Sequence, residues 1–416
     1  MNLPVFTTFA RRFGGWLVAF VCLFALAGVA FAASAAAPVA DTGPSWIKAA
    51  GYSYLTAYMF FLSLCLGGLF LVLIHHLFDA MWSVPTRRFC EHMACMLCPW
   101  MLVLFAPIFA NVLLAGPEHL IYEWMDPAKA DHALHAKHAL FNKPAFVVVS
   151  LALFGIWGWL AHGLRRHSLA QDKTGAAAHT RAMRKYAAGG IFIFAFSLTL
   201  ACIFWMKSLM HQFFSTMYGV YYFAGSVWTT MATVYVITLL LRKRGPLAAV
   251  AGPRQFHDIG VLFFAFTVFY AYIHFSQYFL IWNAAIPEET FWYVLREKGG
   301  WWWIGMLIIF GHFFVPFLTF LRIDTKLNPS IMVPFAAWAW LMHYLDMTYN
   351  VMPKIYPNGP HFGIFDLLSL ALIGGVLINR FFAAFHAHPP YPQKDPRIAE
   401  TMGVYVEPAK GPGAAH

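Results

Sequence analysis

Long apolar stretches recur along the whole chain, and each is long enough to cross a lipid bilayer as a helix. A bilayer-spanning helix needs about 20 apolar residues. Ten segments meet this requirement, namely 15–33, 51–76, 93–115, 144–163, 189–207, 218–241, 259–283, 301–321, 331–350 and 361–382. The sequence therefore predicts an all-α integral membrane protein with ten transmembrane helices.

The composition excludes a soluble globular enzyme. Only 11% of the 416 residues are charged and 60% are hydrophobic, whereas about 25% of an average soluble domain is charged. The net charge of +10 does not indicate a nucleic-acid partner, because the basic residues fall in short loops between the apolar stretches.

These basic loop residues predict the orientation of the helices. Twenty of the 28 Lys and Arg residues lie on the cytoplasmic side when both termini are placed there, as the positive-inside rule requires. The predicted topology is therefore N-in and C-in. The first helix, preceded by Arg11-Arg12, also fits a cleavable signal peptide. We favour a retained helix because its apolar stretch is long enough to span.

Ionisable side chains inside the apolar stretches are the candidate functional residues. Each acidic or basic one costs about 2.5–3.5 kcal/mol at the centre of a bilayer. His343 and Asp346 lie one turn apart on the ninth predicted helix, and Asp366 lies near the start of the tenth. All three fall in the predicted outer half of the membrane. We therefore expect each of them to pair with another side chain, to contact water or to take part in the function.

The seventh predicted helix carries a row of hydrogen-bonding groups on one face, which can hold water or pass protons. The row consists of Tyr270, His274, Gln277 and Tyr278. A smaller inner set comprises His75, His76, Asp79, His162 and Asp258. The helices between the two sets are mostly apolar. His312, near the middle of the eighth helix, fits a packing role as well as proton transfer.

No metal or redox centre bound by this chain is predicted. Cys95-Met-Leu-Cys98 is followed by Pro99 instead of the His of a c-type haem site, and neither a zinc pattern nor a phosphate loop occurs. A transporter, a channel and a quinone-reactive subunit remain as function classes. An aromatic, apolar interior with a few His, Asp and Tyr groups near one surface fits the quinone-reactive subunit best.

Several sequence runs resemble a known family. They are Tyr218-Gly-Val-Tyr-Tyr-Phe-Ala-Gly with the preceding Phe214-Ser-Thr-Met, His257-Asp258-Ile-Gly, Phe264-Ala-Phe-Thr-Val-Phe, and Gly311-His-Phe-Phe-Val-Pro-Phe317. The most specific is Phe275-Ser-Gln-Tyr-Phe-Leu-Ile-Trp-Asn-Ala-Ala-Ile-Pro-Glu-Glu-Thr290. Over about residues 50–385 the chain looks like the F-type subunits of alternative complex III. These belong to the NrfD/polysulfide reductase family of membrane subunits.

The resemblance implies a domain organisation. Residues 1–50 would hold the first helix and an outer linker, 51–210 and 211–350 two four-helix bundles, and 351–385 the tenth helix. Residues 386–416, rich in Pro, Gly and Ala, would form a flexible cytoplasmic tail. The expected location is the bacterial inner membrane. The expected partners are an iron–sulfur subunit, multihaem cytochrome c subunits, a sister NrfD-like subunit, membrane lipid and, as a further candidate, a terminal oxidase.

The resemblance also implies roles for the site residues. A quinone, either menaquinone or ubiquinone, would bind at the outer opening of the first bundle, beside His119, Glu123, Lys137 and Asn142. The outer proton path of the second bundle would comprise His274, Gln277, His343, Asp346 and Asp366. His75, Asp79 and Asp258 would form an inner opening. Haem c and iron–sulfur clusters would reside in partner subunits.

The expected function is therefore that of a quinone-binding-type subunit of a respiratory quinol:cytochrome c oxidoreductase, contributing to proton translocation. The alternatives are a structural anchor subunit of that complex, and the anchor of another NrfD-type oxidoreductase such as polysulfide or tetrathionate reductase. Neither alternative needs quinone chemistry in this chain.

Overall fold

The computed structural model describes residues 44–129 and 131–404. These residues form helices joined by short loops and contain no β-strand, so the prediction of an all-α protein is confirmed for this part of the chain. The predicted first helix at 15–33, with its alternative as a signal peptide, lies outside the described residues, as do residues 405–416.

Nine long helices in the described part are labelled in chain order. They are α1 Trp46–Phe78, α2 Met81–Leu114, α3 Lys143–Thr174, α4 Ala177–Trp205, α5 Tyr218–Lys243, α6 Pro253–Ala284, α7 Gly299–Phe320, α8 Pro329–Val351 and α9 Ile364–His386. All except α8 are long and apolar enough to cross a membrane. The last turns of α8 carry His343, Asp346 and Asn350, and these polar residues lower its hydropathy.

Successive helices run in opposite directions, so the protein has two ends. At the Glu123 end, Glu123 lies beside Lys48 in the first turn of α1 and beside Lys354 just after α8. At the Arg87 end, Arg87 of α2 lies beside His75 in the last turn of α1. The sequence predicts that the Glu123 end faces outward and the Arg87 end faces the cytoplasm, and this orientation stays a prediction.

Helix α1 lies at the centre of the molecule. It contacts α2, α4, α5, α8 and α9, and most of its residues are buried. The helices α1 to α4 pack around one another, as do α5 to α8. The two groups meet where α1 approaches α5. Gly67 permits this approach, because a methyl group there would come within 2.9 Å of the Ser226 carbonyl oxygen.

Two of the helices are interrupted. In α2 the backbone of Cys98 is extended, with φ −141° and ψ 125°, inside a π-helical turn at Leu97–Met101. In α7 a π-helical turn spans Ile309–Phe314, immediately before Pro316. Proline lacks an N–H group and its ring crowds the carbonyl four residues earlier, which here belongs to His312. The π-turn places His312 within the bundle formed by α5 to α8.

The chain beyond α9 packs against the Arg87 end. Asp395 forms an ion pair with Arg87, and Arg397 forms one with Asp79. Further along, the Thr401 carbonyl oxygen accepts a hydrogen bond from Gln255 of α6. The sequence predicts a flexible tail from residue 386 onward. In the structure, residues 387–404 contact the Arg87 end, because Asp395 and Arg397 pair with Arg87 of α2 and with Asp79 after α1.

Candidate functional site

A buried carboxylate lies at the centre of the group formed by α5 to α8. Asp346 of α8 is 1% exposed. Its Oδ1 atom accepts a hydrogen bond from the hydroxyl of Tyr221 on α5, and the Asn350 amide lies 3.4 Å from the same oxygen. Its Oδ2 atom has no hydrogen-bond partner of standard length among the described residues. One side of this carboxylate can therefore accept a proton or a water molecule.

One turn earlier on α8, His343 connects the two helix groups. It is fully buried, and its Nε2 atom lies 2.9 Å from the hydroxyl of Ser63 on α1. Its Nδ1 atom has no hydrogen-bond partner among the described residues. Gly225 of α5 provides the space for this ring, because a methyl group there would lie 2.9 Å from the His343 Cε1 atom.

A second buried imidazole, His312, lies between two aromatic rings. Its ring centre is 3.7 Å from that of Trp228 and 3.6 Å from that of Tyr270, with all three rings nearly parallel. Neither ring nitrogen of His312 has a hydrogen-bond partner among the described residues. The Tyr270 hydroxyl lies 3.1 Å from the Tyr221 hydroxyl. Tyr270 and Tyr221 thus connect His312 to Asp346.

We refer to Ser63, Tyr221, Tyr270, His312, His343 and Asp346 together as the core cluster. A buried polar atom without a partner costs about 1–3 kcal/mol, and such atoms in proteins are commonly satisfied by buried water. Several occur in this one cluster. The arrangement therefore suits bound water and proton transfer between carboxylate, phenol and imidazole groups.

Two further predicted path residues lie close to the core cluster. His274 is half-buried, and its ring contacts those of Tyr221 and Tyr270 at centre distances of 5.4 and 5.7 Å. Gln277, one turn closer to the Glu123 end, accepts a hydrogen bond from Ser215 at 2.8 Å and donates one to Tyr293 at 3.0 Å. His274 and Gln277 thus extend the line of polar groups toward that end.

Asp366, the fifth predicted path residue, caps the start of α9. Its Oδ2 atom accepts a hydrogen bond from the Gly363 N–H at 2.8 Å, and its Oδ1 atom accepts one from the Tyr344 hydroxyl at 3.3 Å. A carboxylate in the first turn of a helix is stabilised by unpaired N–H groups. These contacts give Asp366 a structural role in the fold.

Two of the residues predicted to bind quinone, His119 and Glu123, lie after α2 and contact the start of α1. The His119 Nδ1 atom is 3.0 Å from the Ser45 hydroxyl. Glu123 accepts from the Lys48 ammonium at 2.6 Å and pairs with Lys354 at 3.1 Å. Burial alone would raise the pKa of Glu123, but the hydrogen bond from Lys48 and the charges of both lysines lower it to about 2.

The other two, Lys137 and Asn142, contact a different set of partners. Asn142 caps α3, where its Oδ1 atom accepts from the Ala145 N–H at 2.8 Å. The Lys137 ammonium donates a hydrogen bond to the His211 carbonyl oxygen and lies 3.7 Å from the ring centre of Phe214. His119 and Glu123 thus contact the start of α1, whereas Lys137 contacts the segment between α4 and α5 and Asn142 caps α3.

The predicted inner opening is brought together only in part. His75 and Asp79 lie at the Arg87 end, where the His75 Nε2 atom is 2.9 Å from the Arg87 guanidinium and Asp79 pairs with Arg184. Asp258 pairs instead with its neighbour His257 at 3.3 Å. His162, which the sequence also places on this side, approaches the Cys98 carbonyl oxygen at 2.7 Å.

A group of aromatic rings, which we call the aromatic barrier, lies between His75 and Ser63 along α1. Phe70 lies between Ser63 and His75 along α1. Its ring packs against those of Phe194, Phe223 and Phe266, with centre distances between 4.7 and 6.3 Å. Crossing this barrier would require water or a movement of side chains.

A buried arginine near the core cluster was not among the predicted site residues. Arg296 is fully buried, and its guanidinium stacks 3.4 Å from the ring centre of Trp292. It donates to the carbonyl oxygens of Tyr349 and Asn350 at 2.8 and 3.0 Å. Burial lowers the pKa of Arg296 to about 10. Arg296 therefore fixes the end of α8, one turn from Asp346.

No known protein family model matches the chain, and no curated protein matches it. Within residues 44–129 and 131–404, no group of three or more His, Cys, Asp or Glu side chains is arranged to hold a metal ion.

Proposed function

We propose that the chain is a membrane subunit of a respiratory quinol:cytochrome c oxidoreductase of the alternative complex III type, and that its core cluster moves protons during quinol oxidation. The observation that carries this proposal is the core cluster itself. It buries Asp346 against Tyr221, His312 against Tyr270 and His343 against Ser63, and each of these three residues keeps a polar atom without a partner among the described residues.

The position of the family-like sequence runs supports the same assignment. The run beginning at Tyr218 contains Tyr221, and the run beginning at Gly311 contains His312. The longest run, 275–290, contains Gln277 and ends in the short helix Pro287–Arg296. Three of the segments that resemble the NrfD family thus supply or adjoin the core cluster.

The fold in this proposal has ten transmembrane helices in the bacterial inner membrane. Two four-helix bundles, α1 to α4 and α5 to α8, are flanked by the predicted first helix and by α9, with both termini in the cytoplasm. The packing within each group of four supports the bundles. The excess of Lys and Arg on the Arg87 side supports the orientation.

In this mechanism, protons released on quinol oxidation leave at the Glu123 end. His274 and Gln277 form the outer part of the path, and His343 and Asp346 hold protons at its inner limit. His75 and Asp79 would admit protons from the cytoplasmic side. The aromatic barrier at Phe70 would act as the gate between the two parts.

Quinol oxidation is assigned to the assembly, and quinone binding beside His119, Glu123, Lys137 and Asn142 stays a prediction, because each of these residues already has protein partners. Glu123 is held by two lysines and Asn142 by a helix start, and Lys137 contacts a different partner set from His119. A quinone, menaquinone or ubiquinone, would supply the electrons and protons. Partner subunits with iron–sulfur clusters and haem c would carry the electrons onward, to a cytochrome c or a terminal oxidase.

A structural anchor subunit is the second candidate. The observation that favours it is that Asp366, Asn142 and Glu123, all predicted site residues, have structural partners. The anchor of another NrfD-type oxidoreductase is a further alternative, and it differs from alternative complex III in its electron-carrying partners.

Purification of the tagged full-length chain from its native membrane tests the assignment to a complex. We expect multihaem cytochrome c and iron–sulfur subunits to copurify, together with quinol:cytochrome c oxidoreductase activity. The same purification with an untagged chain is the control. Isolation without haem, or with polysulfide or tetrathionate reductase activity, would contradict the proposal.

A further inference from the structure

Two lysines approach the same aromatic ring at the Glu123 end. Lys137 ends the short helix His132–Lys137, and Lys207 lies in the turn after α4. Their ammonium nitrogens are 3.7 and 6.0 Å from the ring centre of Phe214. Both side chains are half-buried. The face of one ring stabilises a cation only weakly, so two neighbouring positive charges are left poorly compensated.

The neighbouring polar groups compensate this pair only in part. Lys137 donates to the His211 carbonyl oxygen, whereas Lys207 makes no hydrogen bond or ion pair with the described residues. The Asp131 carboxylate acts on Lys137 electrostatically. Its hydrogen bonds come from other groups, because Oδ1 accepts from the Leu134 N–H and Oδ2 accepts from His211 and Gln212 at 2.8 Å each, so neither lysine forms a direct ion pair with it.

The lysine pair carries an electrostatic cost that an anion would remove. Burial and then the charge of Lys137 lower the pKa of Lys207 to about 8. Burial also lowers the pKa of Lys137. An anionic group between the two ammonium groups would favour their charged forms.

Exposed apolar side chains lie next to the lysine pair. Phe214 is 45% exposed and Leu140 is 54% exposed. Val148 and Leu151 continue an exposed apolar face along α3, about 7 to 12 Å from its start at Lys143. A ligand with an anionic head and apolar chains would match both the charge of the lysines and this surface.

We propose that Lys137 and Lys207 form a binding site for a phosphate group, as carried by the headgroup of an anionic phospholipid. The two ammonium groups would donate charge-assisted hydrogen bonds to the phosphate oxygens. The acyl chains would lie along the exposed face of α3. This site differs from the quinone-binding role that the family resemblance implies for Lys137, and it does not depend on the proposed function of the chain.

Native mass spectrometry of the purified full-length chain tests the site by titration with phosphatidylglycerol and with phosphatidylcholine of the same acyl chains. We expect phosphatidylglycerol to bind more tightly. Lys207→Gln should weaken its binding on the order of tenfold, the effect of losing one charge-assisted hydrogen bond, and the double variant Lys137→Gln/Lys207→Gln should weaken it on the order of a hundredfold. Lys207→Arg should retain the binding and so controls for folding.

Lys298→Gln is the matched control, because Lys298 is an exposed lysine at the same end of the molecule. It should leave phosphatidylglycerol affinity unchanged. Competition with inorganic phosphate identifies the source of the phosphate group. Displacement at millimolar concentration would indicate that the phosphate group alone suffices, and no displacement would identify the lipid as the ligand. Equal affinity for the two lipids, or equal affinity in wild type and the double variant, would overturn the proposal.

Discussion

Buried polar side chains in this protein differ in how many of their polar atoms form hydrogen bonds. Asp366 uses both carboxylate oxygens, one with the Gly363 N–H and one with the Tyr344 hydroxyl. Asp346 uses one oxygen, and neither ring nitrogen of His312 has a partner among the described residues. A carboxylate whose two oxygens both accept hydrogen bonds stabilises a fixed local structure. A side chain with a polar atom that forms no hydrogen bond can bind the water and protons that the proposed function requires.

Glu123 should make stability depend on acidity. Its pKa is about 2 in the folded protein against an ordinary value of 4.5. Its ion pairs therefore stabilise the fold fully above pH 4.5, and this contribution is lost as the pH falls toward 2. Glu123→Gln should lower the thermal midpoint at pH 7 and have much less effect near pH 2.5. Thermal unfolding in detergent at several pH values measures this.

The control for Glu123 is Glu288→Gln, because Glu288 is exposed. This variant should unfold like the wild type at both pH values. A destabilisation by Glu123→Gln that is the same at pH 7 and pH 2.5 would mean that the ion pairs with Lys48 and Lys354 do not cause it.

The sequence indicates which residues of the core cluster are unusual but not what they contact. His343 and Asp346 stand out because they are polar groups in an apolar stretch. Their partners Ser63 and Tyr221 come from α1 and α5, so only the packing of distant segments brings them together. The capping role of Asp366 has a local signal, since it is the third residue after Gly363 at a helix start.

At the scale of elements, apolar stretches locate the helices better than they locate the helix ends. The stretch 144–163 corresponds to α3, which continues to Thr174. The extension contains charged residues and gives no hydropathy signal, but Leu164, Ser168 and Gln171 are buried along one face of it. The π-turn in α7 has only an indirect signal in Pro316, because its register depends on how His312 packs between neighbouring helices.

The contact between α1 and α5 should be sensitive to side-chain size. Gly67→Ala would bring a methyl group within 2.9 Å of the Ser226 carbonyl oxygen, and such overpacking costs about 1–3 kcal/mol. We expect a lower free energy of unfolding, measured by denaturant titration in detergent micelles.

Gly375→Ala in α9 is the matched control. A methyl group at Gly375 meets open space, so alanine there should be neutral or should stabilise the helix by up to about 1 kcal/mol. Equal behaviour of the two alanine variants would show that the α1–α5 contact is looser than the structure has it.

At the scale of the whole molecule, the two ends are secured by different segments. Lys48 and Lys354 join the start of α1 to the end of α8 through Glu123. At the opposite end, the segment after α9 supplies Asp395 to the buried Arg87. Composition alone predicts a flexible segment here, since long-range ion pairs such as Asp395–Arg87 and Arg397–Asp79 leave no periodic signal in a Pro-rich sequence.

Removing the Asp395 carboxylate should destabilise the Arg87 end. Arg87 would remain buried with one partner fewer, and a lost charged hydrogen bond costs about 1–3 kcal/mol. Asp395→Asn should therefore lower the thermal midpoint. Asp324→Asn, which breaks an exposed ion pair with Arg322, should produce no measurable change. Equal midpoints for the two variants would contradict the role given to residues 387–404.

The measurement that tests the central claim most directly is the proton-to-electron ratio of the purified assembly in liposomes. Wild type is compared with Asp346→Asn, and Asp366→Asn serves as the control for a buried carboxylate with a structural role. We expect Asp346→Asn to retain quinol oxidation while proton release falls to the scalar protons of the reaction. We expect Asp366→Asn to keep the wild-type ratio. An unchanged ratio in Asp346→Asn would contradict proton transfer through the core cluster.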